Sequence, residues 1–81
     1  MCVTVLFHSY FKNLTGCNEM TQEMADGTTV HDLYQLLAVK FPKLAAMEKS
    51  TLAAVGVDYA PRDYVLKEGD EVSFFPPVQG G

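Results

Sequence analysis

Basic residues are few in this sequence of 81 residues, and long apolar runs are absent. Six lysines and arginines stand against ten aspartates and glutamates, which gives a formal net charge of −4. This argues against nucleic acid or an anionic membrane as the main partner, because both require a basic face. It fits a protein that docks on a basic partner. No apolar stretch approaches a membrane span, and residues 1–4 carry no signal-peptide features, so we expect a cytoplasmic location.

Only two cysteines are present, Cys2 and Cys17. A reducing cytosol disfavours a disulfide between them. The lack of a second cysteine pair or of clustered histidines disfavours a metal site. A sulfur relay is the third option, but neither cysteine stands in a recognisable nucleophile context. We therefore expect both side chains to be small apolar fillers.

The usual signatures of catalysis are also missing. The sequence has no glycine-rich phosphate loop, no cluster of metal ligands and no nucleophile elbow. His8 and His31 are isolated, and we expect His31 to be solvated. Asp70 and Glu71 are adjacent, so on a strand they would point to opposite faces, and a solvated turn is the better interpretation. We expect the chain to be non-catalytic by itself.

Hydrophobic periodicity predicts one small α+β domain over residues 1–75. Two strands, a main helix and two or three further strands indicate a mixed sheet with the helix across one face. We expect a one-turn helix or turn in residues 10–16 and a loop in residues 58–62. The predicted strands are residues 3–8, 19–24, 52–57 (buried), 64–66 (a short edge strand) and 71–75, with a short second helix in residues 44–48.

Residues 29–41 carry the clearest helical pattern. Thr29 can cap the helix, and Asp32 three residues later completes a pair that resembles a capping box. Pro42 ends the helix. The apolar stripe is expected to pack into the core; it consists of Val30, Leu33, Tyr34, Leu37 and Phe41, widened by Leu36.

The C-terminal segment combines a strand with an unusual end. Val72 and Phe74 fall on one face of that strand, and Phe75 falls on the other. Pro76 and Pro77 stop the ladder and favour an extended path. Residues 76–81 would reach roughly 20 Å when extended. Because Gly80 and Gly81 have no Cβ, this tail can enter a channel too narrow for other residues.

The C-terminal segment also carries a family resemblance. Residues 69–81 read Gly-Asp-Glu-Val-Ser-Phe-Phe-Pro-Pro-Val-Gln-Gly-Gly. Together with Leu-Ala-Ala-Val at 52–55 and Phe-Lys-Asn-Leu-Thr-Gly at 11–16, this resembles the small, sulfur-carrying subunit of molybdopterin synthase over essentially the whole chain. That family has the ubiquitin-like β-grasp fold. The chain departs from it at Lys12-Asn13, where Arg-Glu is usual, and at Gly56, where Asn is frequent.

The resemblance implies a chemistry for the tail. An activating enzyme that uses ATP and Mg²⁺ would adenylate the Gly81 carboxylate, and sulfur would then displace AMP to leave a thiocarboxylate. The tail would insert into the large catalytic subunit and give its sulfur to the pterin precursor, within a heterotetramer. No permanently bound cofactor and no metal site are implied. The inserting residues would be Pro76, Pro77, Val78, Gln79 and Gly80.

The resemblance also implies a partner surface. First and last strands are neighbours in a β-grasp sheet, so Leu6, His8 and Phe75 would lie together on the open face, bordered by Tyr59. An apolar patch beside a tail is expected of a docking surface. Lys12 is a further partner contact by resemblance. The alternatives are a sulfur carrier of another pathway, such as thiamine, a ubiquitin-like protein modifier, or a plain interaction domain.

Overall fold

A computed structural model describes residues 1–9 and 11–76, and these residues build one mixed sheet. The strand order is β2-β1-β5-β3-β4. β1 and β5 are parallel, whereas the other neighbouring pairs are antiparallel. The predicted mixed sheet with one main helix is confirmed. The strands are β1 Cys2–Phe7, β2 Glu19–Glu23, β3 Leu52–Val55, β4 Asp58–Tyr59 and β5 Glu71–Phe75, and the helices are α1 Phe11–Thr15, α2 Val30–Lys40 and a 3₁₀ helix Pro42–Ser50.

The core lies between the sheet and α2. On the sheet side, alternate residues of β1 and β5 are buried, as their two-residue period predicts. Tyr34 of α2 packs edge-on against Phe74, with ring centroids 5.4 Å apart. Burying one such large apolar side chain contributes about 1.5–3 kcal/mol. The buried residues of these three elements are Val3, Val5, Phe7, Val30, Leu33, Tyr34, Leu37, Val72 and Phe74.

The start of α2 is closed by a reciprocal pair of hydrogen bonds. The Asp32 backbone N–H donates to Thr29 Oγ1 at 3.2 Å, and the Thr29 backbone N–H donates to Asp32 Oδ2 at 3.1 Å. The predicted capping box is therefore confirmed. At the other end, the Phe41 N–H donates to the Leu37 carbonyl, and Pro42 follows. The helix bounds follow from these caps.

The segment after the 3₁₀ helix differs from the predictions. The predicted buried strand 52–57 ends at Val55, because Gly56 adopts a φ of +64° and reverses the chain. Only Ala53 of this strand is fully buried, and Val57 is 97% exposed. Asp58 and Tyr59, predicted as loop, pair with β3. These differences share one cause: the hairpin needs the positive φ of a single glycine, a local event that periodicity does not resolve.

Two further predictions need correction. Residues 64–66 do not form an edge strand: Val65 makes only an isolated bridge to Thr29, and Leu66 is buried. The short helix predicted over residues 44–48 is the centre of the longer 3₁₀ helix. That helix is held to α2 because the Tyr34 hydroxyl donates to the Leu44 carbonyl at 2.5 Å. Both corrections arise from contacts with α2 and not from the segments' own patterns.

A polar cluster links the 3₁₀ helix to α2 and to the loop after β4. The Arg62 guanidinium donates to the Glu48 and Thr51 carbonyls and lies 3.5 Å from the Glu48 carboxylate. His31 Nδ1 lies 3.4 Å from the same carboxylate. His31 is therefore half-exposed and also contacts the Glu48 carboxylate, so it is not merely solvated. The cluster ties the 3₁₀ helix to the start of α2.

The capping box makes stability depend on pH. Hydrogen bonds from Thr29 hold the pKa of Asp32 below its ordinary value of 3.8. A lowered folded-state pKa gives stability that is present above the unfolded-state pKa and is lost as pH falls through the folded-state pKa. Asp32→Asn keeps an acceptor oxygen but cannot titrate. We expect the stability advantage of wild type over Asp32→Asn to be constant above about pH 5 and to shrink below about pH 4.

Urea unfolding of both proteins, followed by circular dichroism from about pH 7 to about pH 2.5, measures this difference directly. The other carboxylates titrate in both proteins and cancel in the comparison. A difference that stays the same across the acid range would contradict the assignment.

Candidate docking site

Two ladder rows carry the apolar part of the open face of the sheet, opposite α2. In the first row, Leu6 pairs with Ser73, Ser73 with Ala54, and Ala54 with Tyr59. In the second row, Phe75 pairs with Leu52. Because directly paired residues share a face of a sheet, these side chains all stand on the side away from the core. The open face thus carries apolar groups at its centre.

Phe75 is the centre of an aromatic cluster on this face, which consists of His8, Tyr59 and Phe75. The Phe75 ring lies 6.2 Å from the His8 ring in an edge-on arrangement and 5.7 Å from the Tyr59 ring in a tilted one. Tyr59 is 69% exposed, and Phe75 is half-buried. The structure therefore brings together three residues that were predicted to be neighbours. Their role in partner binding stays a prediction.

Leu6 and Leu52 extend the apolar area. Both are half-buried, whereas their chain neighbours Val5, Phe7 and Ala53 are buried in the core. Leu6 was predicted on this face. Leu52 was missed, because its strand was interpreted as buried on both sides. The two-residue period of β3 puts Leu52 and Ala53 on opposite faces, but all four residues of the strand are apolar, so the sequence does not indicate which face is covered.

The end of β5 is held by strands on both sides. On one side, the His8 backbone N–H donates to the Phe74 carbonyl at 3.1 Å. On the other side, Leu52 is the ladder partner of Phe75. Pro76 follows directly and is half-buried. The chain thus leaves the sheet beside the aromatic cluster. The predicted insertion residues Pro77, Val78, Gln79 and Gly80, and the predicted reactive residue Gly81, lie outside the described residues.

Lys12 is not part of the aromatic cluster. It is exposed on α1, whose start is fixed by the Lys12 N–H donating to the Ser9 carbonyl at 3.2 Å. Within residues 1–9 and 11–76, the ring contacts of Phe75 are made by His8 and Tyr59 only. Lys12 remains a predicted partner contact by resemblance.

Carboxylates border the apolar centre on the β2 side of the open face. Glu19 is the ladder partner of Leu6, and Glu23 is the partner of Cys2. Glu71 pairs with Thr4 at the start of β5. Its neighbour Asp70 has a structural role, because its carboxylate accepts the Lys67 N–H at 2.9 Å and the Tyr64 hydroxyl at 3.4 Å. Asp70 therefore fixes the turn before β5: the predicted turn is confirmed, although its Asp70 side chain is half-buried and hydrogen-bonded and not simply solvated.

The two cysteines are free and differ in environment. Cys17 is half-buried against the core, with Sγ 3.7 Å from Thr15 Oγ1. Cys2 is exposed, so its prediction as an apolar filler is wrong; the β1 register places it on the open face. Cys2 pairs with Glu23, whereas Phe7 bonds to Asn18, next to Cys17. The thiols thus lie at opposite ends of β1, about 17 Å apart, too far for a disulfide.

The part of the chain that the structure describes contains neither a pocket nor a cluster of metal ligands. Those residues enclose no pocket, and they include no group of three or more potential metal ligands. None of their helices is long and apolar enough to cross a membrane.

Comparison with known proteins identifies the family. The family model described as the ThiS family matches residues 5–81. The chain belongs to the ThiS family. The match extends through the C-terminal Gly-Gly and so includes the tail that lies beyond the described residues.

Individual ThiS-family relatives agree in length as well as in sequence. The chain is 40% identical over 81 residues to the molybdopterin synthase sulfur carrier subunit of Escherichia coli, covering 98% of this chain and 99% of that protein. It is 35% identical over 83 residues to the protein of the same name from Chlamydomonas reinhardtii, covering 100% of both. A solved structure described as molybdopterin converting factor, subunit 1, from Pyrococcus furiosus matches with a TM-score of 0.83 at 28% identity, covering 96% of this chain and 99% of that one. The predicted ubiquitin-like β-grasp fold is thereby confirmed.

Proposed function

We propose that this chain is the sulfur carrier subunit of a molybdopterin synthase. The observation that carries the proposal is the end-to-end similarity to sulfur carrier subunits of that enzyme, at 35–40% identity. The geometry supports it, because β5 ends beside an apolar face and delivers the chain to Pro76 at a position held from both sides. A carrier of this kind needs a rigid domain that presents its C-terminus.

The sulfur would be carried on the C-terminal carbonyl carbon of Gly81. A free carboxylate is a poor acyl donor, so an activating enzyme first converts it with ATP and Mg²⁺ to an acyl-adenylate. Sulfur then displaces AMP and forms the thiocarboxylate. Gly80 and Gly81 suit this role, because two different enzymes must close around a backbone without side chains. Pro76 and Pro77 restrict the backbone and lower the ordering cost of insertion.

The open face would be the docking surface. Its apolar centre includes the aromatic cluster and Leu6, and its β2 side carries the carboxylates of Glu19 and Glu23. This suits a partner with an apolar contact region and basic groups at its edge. We assign this surface to the large synthase subunit, in a heterotetramer, and to the activating enzyme at an earlier step. A cytoplasmic location is part of the proposal, and the two free cysteines fit a reducing compartment.

Mass spectrometry of the protein from its native host tests the carrier function. We expect a fraction of the chain with one oxygen replaced by sulfur in its C-terminal peptide. Conjugation of Gly81 to lysines of other proteins would instead indicate a protein modifier. A C-terminus that is always an unmodified carboxylate, in cells that are making the cofactor, would contradict the carrier function.

Removal of Gly81 should abolish sulfur transfer and leave the fold intact. The core residues extend only to Phe74, so we expect an unchanged melting temperature within experimental error. Thiocarboxylate formation with the purified activating enzyme should fall below detection, because the carboxylate of the shortened chain would lie one residue short of the position at which the enzyme adenylates it. Undiminished transfer by the truncated protein would refute the proposed chemistry.

Phe75→Ala should weaken docking much more than folding. The ring is half-buried at the centre of the aromatic cluster, so we expect binding to the large subunit to weaken by roughly 1–3 kcal/mol. Val39→Ala is the matched control, because Val39 is an 80% exposed apolar residue of α2, on the other side of the sheet. Calorimetric titration and thermal melting on both variants measure the two effects. An unchanged affinity of Phe75→Ala for the large subunit would argue against the open face as the docking surface.

The double variant Cys2→Ser, Cys17→Ala should load sulfur as wild type does. The thiols lie at opposite ends of β1, and sulfur is held on Gly81 and not on a thiol. Because Cys17 packs against the core, we expect a loss of stability of about 1 kcal/mol. Single-turnover loading followed by mass spectrometry measures the effect. A strong loss of loading in a folded variant would demonstrate a thiol relay.

A further inference from the structure

We infer that Tyr59 and His8 are positioning residues that hold the Phe75 ring in its docking orientation before a partner arrives. This inference rests on the proposed function and deepens it. It assigns to these two side chains an action through Phe75, and not only a direct contact with the partner.

The Phe75 ring lies between two other aromatic rings. Phe75 stands on an open face, where a lone aromatic side chain would sample several χ1 rotamers. Here its ring is contacted from two sides, by His8 at 6.2 Å and by Tyr59 at 5.7 Å. Both distances lie within the range of favourable aromatic pairs. The two neighbours therefore restrict the Phe75 ring to the space between them.

Both neighbours of Phe75 are fixed to the sheet by their backbones. The His8 N–H bonds to the Phe74 carbonyl, so His8 moves with β5. Tyr59 is paired with Ala54, and the preceding hairpin is tied to β5 because the Gly56 N–H donates to the Glu71 carbonyl at 2.9 Å. His8 is thus hydrogen-bonded directly to the strand that carries Phe75. Tyr59 lies on β4, which is separated from that strand by β3.

Tyr59 has no part in the hydrophobic core. It is 69% exposed and stands outside the core cluster, so the burial of its ring contributes little to folding. Within the described residues, its ring packs against Phe75. Holding a side chain in place before binding removes part of the ordering cost of association. Loss of one support should therefore weaken docking by about three- to tenfold.

A double-mutant cycle on the dissociation constant for the large synthase subunit tests the inference. We expect Tyr59→Ala to raise the constant about three- to tenfold, and Tyr59→Phe, which retains the ring, to restore it. In a Phe75→Ala background, Tyr59→Ala should have a clearly smaller effect than in wild type, because the part that acts through the Phe75 ring is gone. His8→Ala and the ring-retaining His8→Phe should follow the same pattern. Additive effects of Tyr59→Ala and Phe75→Ala would overturn the inference, because they would show independent contacts with the partner.

Val57→Ala is the control for the hairpin. Val57 is 97% exposed in the turn that precedes Tyr59 and is not part of the aromatic cluster. We expect its truncation to leave the dissociation constant unchanged. An effect as large as that of Tyr59→Ala would also overturn the inference, since any disturbance of the hairpin would then suffice.

A measurement on the free carrier separates this inference from the proposed function. Three-bond couplings about χ1 of Phe75, measured by NMR without any partner, should show one dominant rotamer in wild type and rotamer averaging in Tyr59→Ala. An unchanged single rotamer in the variant would refute positioning even if the carrier binds the large subunit. Averaging in the variant, with no binding by wild type, would uphold positioning and refute the proposed function.

Discussion

The parallel pairing of β1 with β5 is the constraint on which the rest of the structure depends. Its register sets Leu6 beside Ser73 and Phe7 beside Phe74, and so decides which side chains enter the core. A shift by one residue would move the apolar set of β5 to the open face and expose the core face of the sheet. The same register brings His8 to the end of β5, next to Phe75. Folding and the presentation of the C-terminus are thus two results of one pairing.

The two faces of the sheet have different roles. The covered face is packed against α2 and contains the buried side chains that stabilise the domain. The open face combines a partly exposed apolar centre with carboxylates along β2. A small domain exposes such a centre at some cost in solubility, which a net charge of −4 counteracts. The arrangement suits a carrier that must be released from one partner before it meets the next.

Polar contacts fix the helices and loops that are not part of the sheet. The capping box starts α2, the Tyr34 hydroxyl binds the 3₁₀ helix, and Arg62 joins that helix to the loop after β4. Asp70 fixes the turn that leads into β5. None of these bonds is made by a residue of the aromatic cluster.

Local chemistry in the sequence was sufficient for the elements whose determinants are adjacent in the chain. The alternation of β1 and β5, the Thr29–Asp32 cap and the stop at Pro42 could all be predicted, and so could the family, from the segment around Phe75 and the terminal glycines. What the tertiary structure alone decided depends on pairing between distant segments. The place of Leu52 on the open face, the exposure of Cys2 and the contact of His31 with Glu48 all require knowledge of which backbone lies alongside which. Such long-range register is set by the packing of the whole core, and no single stretch of the chain contains it.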